Sequence, residues 1–381
     1  MQRLPHELEP WNVSEDAFPK DGSMLDKLKF FLKYAILAPS SRNTQPWNFK
    51  ILSDNTIELY ADTSRALPVV DPRGRELTIS CGAALGYLQI TIRHFGYKYK
   101  TEVLSSYEEK KKNEHLLARI NVYDYSGSDD DTANIQENNI EVNSLQVDDN
   151  NRLFEAITTR RTNRFRFEDR NIPDILLAGF YYIVDKYPQY QKQQKHQEDS
   201  IWLHIADEDD EKNALAELIV QGDRIQLSDK RFRRELVSCI HLNRSRRRRS
   251  DIPRYASGIS NFMSMISPFI IKTFNINKKQ AEKDRELAAT SPVLAVLGSH
   301  SDEPLDWINT GMALANILLL ASSENVCCSF LNQPIQISQL RPKLLDAIRK
   351  NKGFPQVLLR MGYSSEQIRP SPRRNVEEVL C

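Results

Sequence analysis

Gly82-Ala-Ala-Leu85 and Gly311-Met-Ala-Leu314 lie 229 residues apart and share the spacing Gly-x-Ala-Leu. The same shift lays Gly96 on Asn325, and Gly and Asn are the residues that end helices in the left-handed conformation. An apolar segment of helical periodicity surrounds each motif, and a segment with strand character follows each stop. This coincidence of motif, helix stop and strand favours a diverged duplication over a chance match.

The composition is that of an ordinary globular protein. Among 381 residues, 40% are hydrophobic, 27% charged and 9% aromatic, and this length predicts two or three domains. The 52 Lys and Arg residues nearly balance the 51 Asp and Glu residues, so the net charge is +1. A protein that mainly coats nucleic acid carries a larger basic excess. Collagen, coiled-coil and small secreted scaffold classes are excluded as well.

The cysteine pattern and the apolar segments predict a protein of the reducing cytoplasm. The five cysteines include no C-x-x-C pair, which argues against a disulfide framework and a zinc site. The segment from Met1 to Pro10 lacks an apolar core, so we expect no secretory signal. The most apolar stretch, Met312 to Ala321, is too short to span a bilayer, and we expect no membrane partner.

Periodicity and turn residues predict an α+β fold with two sheet-plus-helix halves. We assign residues 1–125 to the first domain, 126–150 to an acidic linker without Lys or Arg, and 151–381 to the second domain, with a lid around 244–280. The predicted helices are Leu25–Ile36, Glu76–Phe95, Leu153–Ile157, Pro173–Tyr187 and Trp307–Ser322. The predicted strands are Trp47–Leu52, Thr56–Tyr60, Tyr97–Leu104, Leu116–Tyr123, Ile201–Ala206, Val293–Gly298, Val326–Leu331 and Phe354–Gly362.

Three polar segments stand out as candidate binding sites. Pro39-Ser-Ser-Arg-Asn-Thr-Gln-Pro-Trp47 offers donors and acceptors for a flat heteroaromatic ligand, although a helix-terminal turn that satisfies its own backbone is the simpler interpretation. Arg160-Arg-Thr-Asn-Arg164 can hold a phosphate or form a solvated basic helix end. Pro370-Ser-Pro-Arg-Arg374 taken alone is a tail. Composition does not decide between these alternatives.

Together, these segments resemble the nitroreductase (FMN-dependent oxidoreductase) superfamily. The first is similar to its P-S-x-x-N-x-Q-P-W loop and the second to its R-R-S/T-x-R phosphate motif. Gly353-Phe-Pro-Gln356 with the tail resembles its last strand and basic clamp. The order, with the P-S loop in the first half and the Arg motif in the second, resembles the Acg-like branch. The resemblance implies a duplicated nitroreductase-like fold in one pseudo-dimeric, monomeric chain.

The resemblance also implies one FMN between the two halves, and no catalytic side chain or metal, because the chemistry takes place on the flavin. Arg160, Arg161 and Thr162 would meet the phosphate and ribityl chain, and Arg164 would lie near the ring. Gln336 stands where an acid is expected in this branch. The remaining cofactor-binding residues that the resemblance implies are Pro39, Ser40, Ser41, Asn43 and Gln45 along the ring, Asn332 and Gln333 near N5, and Arg373 and Arg374 at the phosphate.

Three functions follow as alternatives. The first is an oxidoreductase that passes hydride from NADH or NADPH through FMN to a nitroaromatic, a quinone or a similar conjugated acceptor. The second is a flavin-sequestering protein whose site is closed by an apolar lid, Phe262 to Phe274. The third is RNA binding or protein interaction through Arg244 to Arg249, which we disfavour because no nucleic-acid fold signature accompanies that run.

Overall fold

The computed structural model describes residues 6–53, 55–111, 114–124, 144–186, 201–241, 252–253 and 277–381. Eight strands form two antiparallel sheets. These strands are β1 Trp47–Ser53, β2 Thr56–Asp62, β3 Lys98–Lys111, β4 Glu114–Tyr123, β5 Ile201–Ala206, β6 Val293–Ser299, β7 Cys327–Phe330 and β8 Phe354–Gly362.

Nine α-helices of seven or more residues accompany the sheets in the described ranges: α1 Met24–Ala35, α2 Arg75–His94, α3 Ser144–Thr159, α4 Asp174–Lys186, α5 Asp209–Ser228, α6 Lys230–Ser238, α7 Asn277–Ala289, α8 Pro304–Ser323 and α9 Arg341–Ala347. Further helical segments are the 3₁₀ helices His6–Asn12, Glu15–Ala17, Ser41–Asn43 and Thr63–Arg65 and the short helices Gln333–Gln336 and Val376–Val379. The strands Ile240–His241 and Ile252–Pro253 form a separate parallel pair.

The two halves repeat one topology. The first sheet has the order β1-β2-β4-β3 and the second the order β5-β6-β8-β7, so strands in the same position along each half occupy the same position in each sheet. In both halves a twenty-residue helix, α2 or α8, connects the second strand to the third. Gly96 and Asn325 both have positive φ, 82° and 60°. The left-handed helix stops expected from the sequence are therefore present.

The helices α2 and α8 cross at the two repeated glycines. A Cβ added to Gly82 would lie 2.2 Å from the carbonyl oxygen of Ile308, and one added to Gly311 would lie 2.1 Å from the carbonyl oxygen of Ile79. Ile79 lies three residues before Gly82, and Ile308 lies three residues before Gly311. The 229-residue shift therefore relates the two contacts to each other. Any side chain at these positions would force the backbones apart. Glycine is required here for close approach of the helices.

Helix α8 lies in the core between the halves. It has the length and apolarity of a membrane span, but 78% of its most apolar window is buried inside the protein. The helix is longer than the apolar stretch Met312 to Ala321 because its first turns, from Pro304, carry polar residues such as Asp306 and Asn309 that are themselves buried. A single core cluster includes residues from α1, α2, α3, α4 and α8.

Most of the predicted helices and strands are present in the structure. The hairpin of β1 and β2, the helix α2 and the strands β5 and β8 appear as expected, and Ser23 caps α1 in a capping box with Asp26. Helix α3 begins at Ser144, inside the range that the sequence assigns to the linker. Residues 125–143 of the linker, Arg244 to Arg249 and Phe262 to Phe274 lie outside the described residues. The helices α5, α7 and α9 were not predicted.

Asp302 joins the two halves through a buried ionic network. Arg73 of the first half donates Nη1 to Asp302 Oδ2 at 2.8 Å, and Arg341 donates to both carboxylate oxygens at 2.8 and 2.9 Å. Gln356 and Trp307 add hydrogen bonds of 3.0 and 2.9 Å. Burial alone would raise the pKa of Asp302, but these donors, Arg341 foremost, outweigh burial and hold the pKa below its usual range.

We expect Asp302→Asn to destabilise the protein by about 2 kcal/mol at pH 7, because hydrogen bonds to a charged group are lost. A lowered folded-state pKa contributes stability that is present above the unfolded pKa of about 4 and is lost as the pH falls below it. The variant should therefore lose less stability than wild type on acidification below pH 4. Urea unfolding at pH 7 and at pH 3 measures both effects, and equal acid losses in the two proteins would contradict the assignment.

Candidate FMN site between the halves

The P-S loop has a strained backbone that its neighbours hold in place. Arg42, Asn43 and Gln45 have φ values of 48°, 58° and 50°, a left-handed conformation that is uncommon outside glycine and clusters at functional sites. Gln45 is fully buried, and its backbone N–H donates to Ser40 Oγ at 2.9 Å. Pro39 is also buried and ends the turn that follows α1. The loop is thus a rigid surface with an unusual backbone.

The C-terminal tail of the second half reaches across to this loop. Arg373 donates Nη1 to Asn43 Oδ1 at 2.7 Å, and Asn43 Nδ2 donates to the carbonyl of Pro372 at 3.1 Å. The backbone N–H of Arg374 donates to Gln45 Oε1 at 2.8 Å. Two predicted segments, 330 residues apart in the chain, are therefore joined by reciprocal hydrogen bonds that use the Asn and Gln of the P-S motif.

Arg374 is directed at the loop backbone. Its Nη1 donates to the carbonyls of Gln45 and Trp47, both at 3.1 Å, and its Nη2 donates to Asn48 Oδ1 at 3.2 Å. Burial, with the charge of Arg65, lowers the pKa of Arg374 to about 10. These contacts show a side chain that positions the P-S loop.

Three other arginines lie around Trp11 and Tyr87. The guanidinium carbon of Arg161 lies 4.0 Å and that of Arg373 4.9 Å from the centre of the Trp11 ring. The hydroxyl of Tyr87 is buried, which raises its pKa, and the nearby charges of Arg160, Arg373 and Arg161 oppose that rise. The Arg motif and the tail are thus brought to one place, which we call the arginine cluster: Arg160, Arg161 and Arg373.

The arginine cluster fits a phosphate. Arg160 is 5% exposed, and its Nε is buried without a hydrogen-bond partner among the described residues. Two hydrogen bonds of the cluster run from Arg161 Nη1 to the Arg160 carbonyl at 2.9 Å and from Arg160 Nη1 to Thr162 Oγ1 at 3.5 Å. Guanidinium groups grouped in this way bind a dianionic phosphate through charge-assisted hydrogen bonds. The residues present therefore suit the phosphate of FMN.

Strand β7 holds the Arg motif in place. Thr162 forms a β-bridge with Cys328, and the Asn163 N–H donates to the Cys328 carbonyl at 3.0 Å. Arg360 of β8 donates Nη2 to the carbonyls of Asn163 and Phe165 at 3.1 and 2.9 Å. Burial of Cys328 raises the pKa of its thiol, so this cysteine is a core residue.

The carboxylate of Glu76 is the central contact near Ser41, at the start of the P-S loop. Ser41 donates Oγ to Glu76 Oε2 at 2.7 Å, while Gln336 and Asn332 donate to Glu76 Oε1 at 2.7 and 3.4 Å. Arg75 lies 3.3 Å from the same carboxylate. Asn332 and the P-S loop are thus brought together by one carboxylate. An amide at Gln336 suits this place, because an acid there would face Glu76.

Gln333 and Arg164 lie beside a second set of charged groups. Gln333 donates Nε2 to Asp223 and Asp284, at 3.1 and 3.3 Å. Arg164 is close enough to Arg360 for their charges to interact, and burial lowers the pKa of both guanidinium groups, that of Arg360 to about 10. The predicted site residues thus fall into three groups. The first is the arginine cluster with its contacts to the P-S loop, the second surrounds Glu76, and the third surrounds the acids Asp223 and Asp284.

Several residues at the site were missed from the sequence. Trp11 and Tyr87 belong to no motif, and Glu76 is predicted only as the first residue of a helix. Asp223 and Asp284 lie on α5 and α7, which were not predicted. Glu76 lies at the start of α2, directly after a charged turn. This N-terminal position was the one feature of the sequence that could have indicated a role for Glu76 at the site.

A cavity of about 480 Å³ lies elsewhere, against the start of α5. It contains none of the site residues expected from the sequence. Asp169, Asp174, Asp207, Glu208 and Asp209 contribute to its wall, with Arg166 and Lys212 as cations. An acidic lining of this kind does not suit a phosphate.

Comparisons with known proteins support a nitroreductase-like protein. No family model matches the chain. A protein of Mycobacterium tuberculosis (strain ATCC 25618 / H37Rv) named "Putative NAD(P)H nitroreductase Rv3131" is 24% identical over 360 residues, which cover 93% of this chain and 91% of that protein. A putative nitroreductase of Anabaena variabilis, solved by crystallography, superposes with a TM-score of 0.52 at 9% identity and covers 95% of this chain and 93% of its own. The duplicated nitroreductase-like fold is therefore confirmed.

The similarity extends to the particular branch. "Putative NAD(P)H nitroreductase acg" of the same Mycobacterium tuberculosis strain is 24% identical over 359 residues, which cover 93% of this chain and 95% of that protein. The resemblance to the nitroreductase superfamily, and within it to Acg-like proteins, is thus confirmed over nearly the full length of the chain.

Proposed function

We propose that this chain is an FMN-dependent oxidoreductase that accepts hydride from NADH or NADPH and passes it to a quinone, a nitroaromatic or a similar conjugated acceptor. One observation carries the proposal: the arginine cluster and the P-S loop, from opposite halves, are joined by the bond from Arg373 to Asn43. A phosphate site and a flat polar surface therefore adjoin at one interface. The names of the relatives, which specify NAD(P)H nitroreductases, support the same activity.

In this proposal the protein binds and orients the cofactor, while FMN supplies the hydride chemistry. The arginine cluster would hold the phosphate, and Thr162 the adjoining ribityl chain. Arg374 would position the loop that lines the ring. The remaining contacts with the ring and ribityl chain are assigned to Pro39, Ser40, Ser41, Asn43, Gln45, Arg164, Asn332 and Gln333.

A purified sample tests the proposal directly. We expect flavin absorbance bands in the visible spectrum and their bleaching by NADH or NADPH in anaerobic stopped-flow measurements. Addition of a small quinone should restore the bands. A chain that binds no FMN, or a bound flavin that neither donor bleaches, would contradict the proposal. Flavin sequestration remains a hypothesis, because its lid lies outside the described residues.

Asn43→Ala should weaken FMN binding by about tenfold or more. The change removes hydrogen bonds to Pro372 and Arg373, each worth about 1 kcal/mol or more. Alanine also tolerates a φ of 58° less well than asparagine. FMN titration by fluorescence quenching measures the affinity, and a shifted flavin spectrum is expected with it. Asn48→Ala, which removes a hydrogen bond from Arg374, is the milder comparison. If the Asn43 variant binds FMN as tightly as wild type, the proposed role of Asn43 is refuted.

A further inference from the structure

Asp223 of α5 and Asp284 of α7 form a pair of facing carboxyl groups beside the site. Asp223 is 5% exposed, and the two groups are within hydrogen-bonding reach of each other. Gln333 donates Nε2 to Asp223 Oδ1 and to Asp284 Oδ2, at 3.1 and 3.3 Å. Gln280 donates to Asp284 Oδ1 at 3.1 Å. The pair is therefore held in one geometry by two amides.

The surroundings of this pair favour a proton held between the two carboxyl groups. Asp223 Oδ2 is buried, and no donor group among the described residues reaches it. Two carboxylates in contact can be bridged only if one of them is protonated, as in other carboxyl pairs that share a site. Burial, and then the charge of Asp284, raises the pKa of Asp223, and burial raises that of Asp284.

The charged groups around the pair favour its holding a single proton. Lys283 on α7 and Arg360 on β8 act on Asp284 and favour its ionised form. Arg164 lies near Arg360 in turn. Arg285 and Glu217, which join α7 to α5 at 2.6 Å, neutralise each other and are half exposed. We therefore expect one carboxylate and one carboxylic acid near neutral pH.

The pair lies next to the proposed flavin site. Gln333 follows Asn332, whose side chain reaches Glu76 of the P-S loop contacts. Helix α5 packs so closely here that a Cβ on Gly222 would lie 2.7 Å from Gln333 Cβ. The short helix Gln333–Gln336 thus contacts the acid pair through Gln333 and Glu76 through Gln336.

We propose that the Asp223–Asp284 pair is the proton donor for the acceptor that this site reduces. The inference rests on the proposed function and adds a catalytic group to it. A quinone that receives hydride from the reduced cofactor gains two electrons and one proton, and its second oxygen becomes anionic. The O–H bond of the pair breaks, a new O–H bond forms on that oxygen, and hydroquinone leaves. The pair, now fully ionised, regains its proton from water.

Asp223→Asn is the decisive variant, because asparagine keeps the shape and donates to Asp284 but carries no acidic proton. With FMN bound, we expect the reduction of a benzoquinone to slow by about 10²-fold or more, the range of general acid catalysis. Reduction of ferricyanide, which accepts an electron without a proton, should stay within twofold of wild type. The wild-type quinone rate should fall as rising pH removes the proton, and this dependence should vanish in the variant.

A second measurement needs no cofactor. Infrared difference spectra of the apoprotein at pH 7 should show the carbonyl band of a protonated carboxylic acid, lost in Asp223→Asn and retained in Asp210→Asn, an exposed acid on the same helix. The proposal is overturned if this band is absent, if quinone and ferricyanide rates fall together, or if neither falls. Failure of the wild-type protein to bind FMN or to bleach with NAD(P)H would instead refute the proposed function itself.

Discussion

Replacing Arg160 and Arg161 together by alanine should weaken FMN binding by about two to four orders of magnitude. In the proposed site each guanidinium would donate charge-assisted hydrogen bonds to the phosphate, worth about 1.5–3 kcal/mol, and the sum converts to that range of affinity. Arg161 Nη1 donates to the Arg160 carbonyl, so coupling between these neighbours can reduce the sum. Fluorescence quenching on titration with FMN measures the loss.

The fold should survive this double substitution. Arg160 is 5% exposed, and its Nε has no hydrogen-bond partner in the part of the chain that the structure describes. Alanine therefore removes a poorly compensated buried charge. We expect an unchanged or higher melting temperature without FMN, and loss of the stabilisation that FMN gives wild type.

Arg166→Ala is the matched control for this experiment. Arg166 is an exposed arginine of the same segment and pairs with Glu286 at 3.5 Å, with both side chains more than half exposed. An ion pair of this kind contributes little. If the double variant binds FMN like wild type while folded, or if Arg166→Ala weakens binding equally, the phosphate site is misplaced.

Gly82→Ala should destabilise the protein by about 3 kcal/mol, the upper part of the range for added methyl groups in a packed core. The new Cβ would lie 2.2 Å from the carbonyl oxygen of Ile308 and 3.0 Å from the Cα of Gly311. Both are backbone atoms, so no rotation of a side chain relieves the contact. The helices α2 and α8 would have to separate, which opens the core that they share.

Gly179→Ala is the comparison for this effect. Gly179 also lies in a helix, α4, but a Cβ there would meet only the end of the Leu320 side chain, at 3.1 Å. Alanine favours a helix over glycine by about 1 kcal/mol, so we expect little or no loss. Urea unfolding followed by circular dichroism measures both variants, and a neutral Gly82→Ala would contradict the close helix crossing.

The sequence predicted those parts of the fold that depend on local pattern. The alternation in Trp47–Leu52 and Thr56–Tyr60 and the Gly and Asn stops predicted elements that the structure contains. The helix Asp209–Ser228 was missed because it begins with charged residues and has a polar average. Its buried face is visible only once α7 and the short helix Gln333–Gln336 are known to pack on it.

The candidate site was predicted as a set of segments, without its internal contacts. Hydrogen bonds join the motif loop to the tail, yet Trp11 and Glu76 carry no pattern that distinguishes them. Their roles arise from contacts with segments such as Ser371, 360 residues from Trp11, and Gln336, 260 residues from Glu76. Long-range contacts of this kind are decided by tertiary packing, which local propensity does not encode.

The reciprocal crossing at Gly82 and Gly311 has a consequence for how this protein can change over time. In a symmetric pair of identical chains, one substitution alters both sides of the two-fold axis at once. Here the two sides are encoded separately, so each can drift alone, and a harmful change on one helix can be compensated on the other. Selection can therefore keep the glycines at the crossing while releasing one half from the need to bind a ligand.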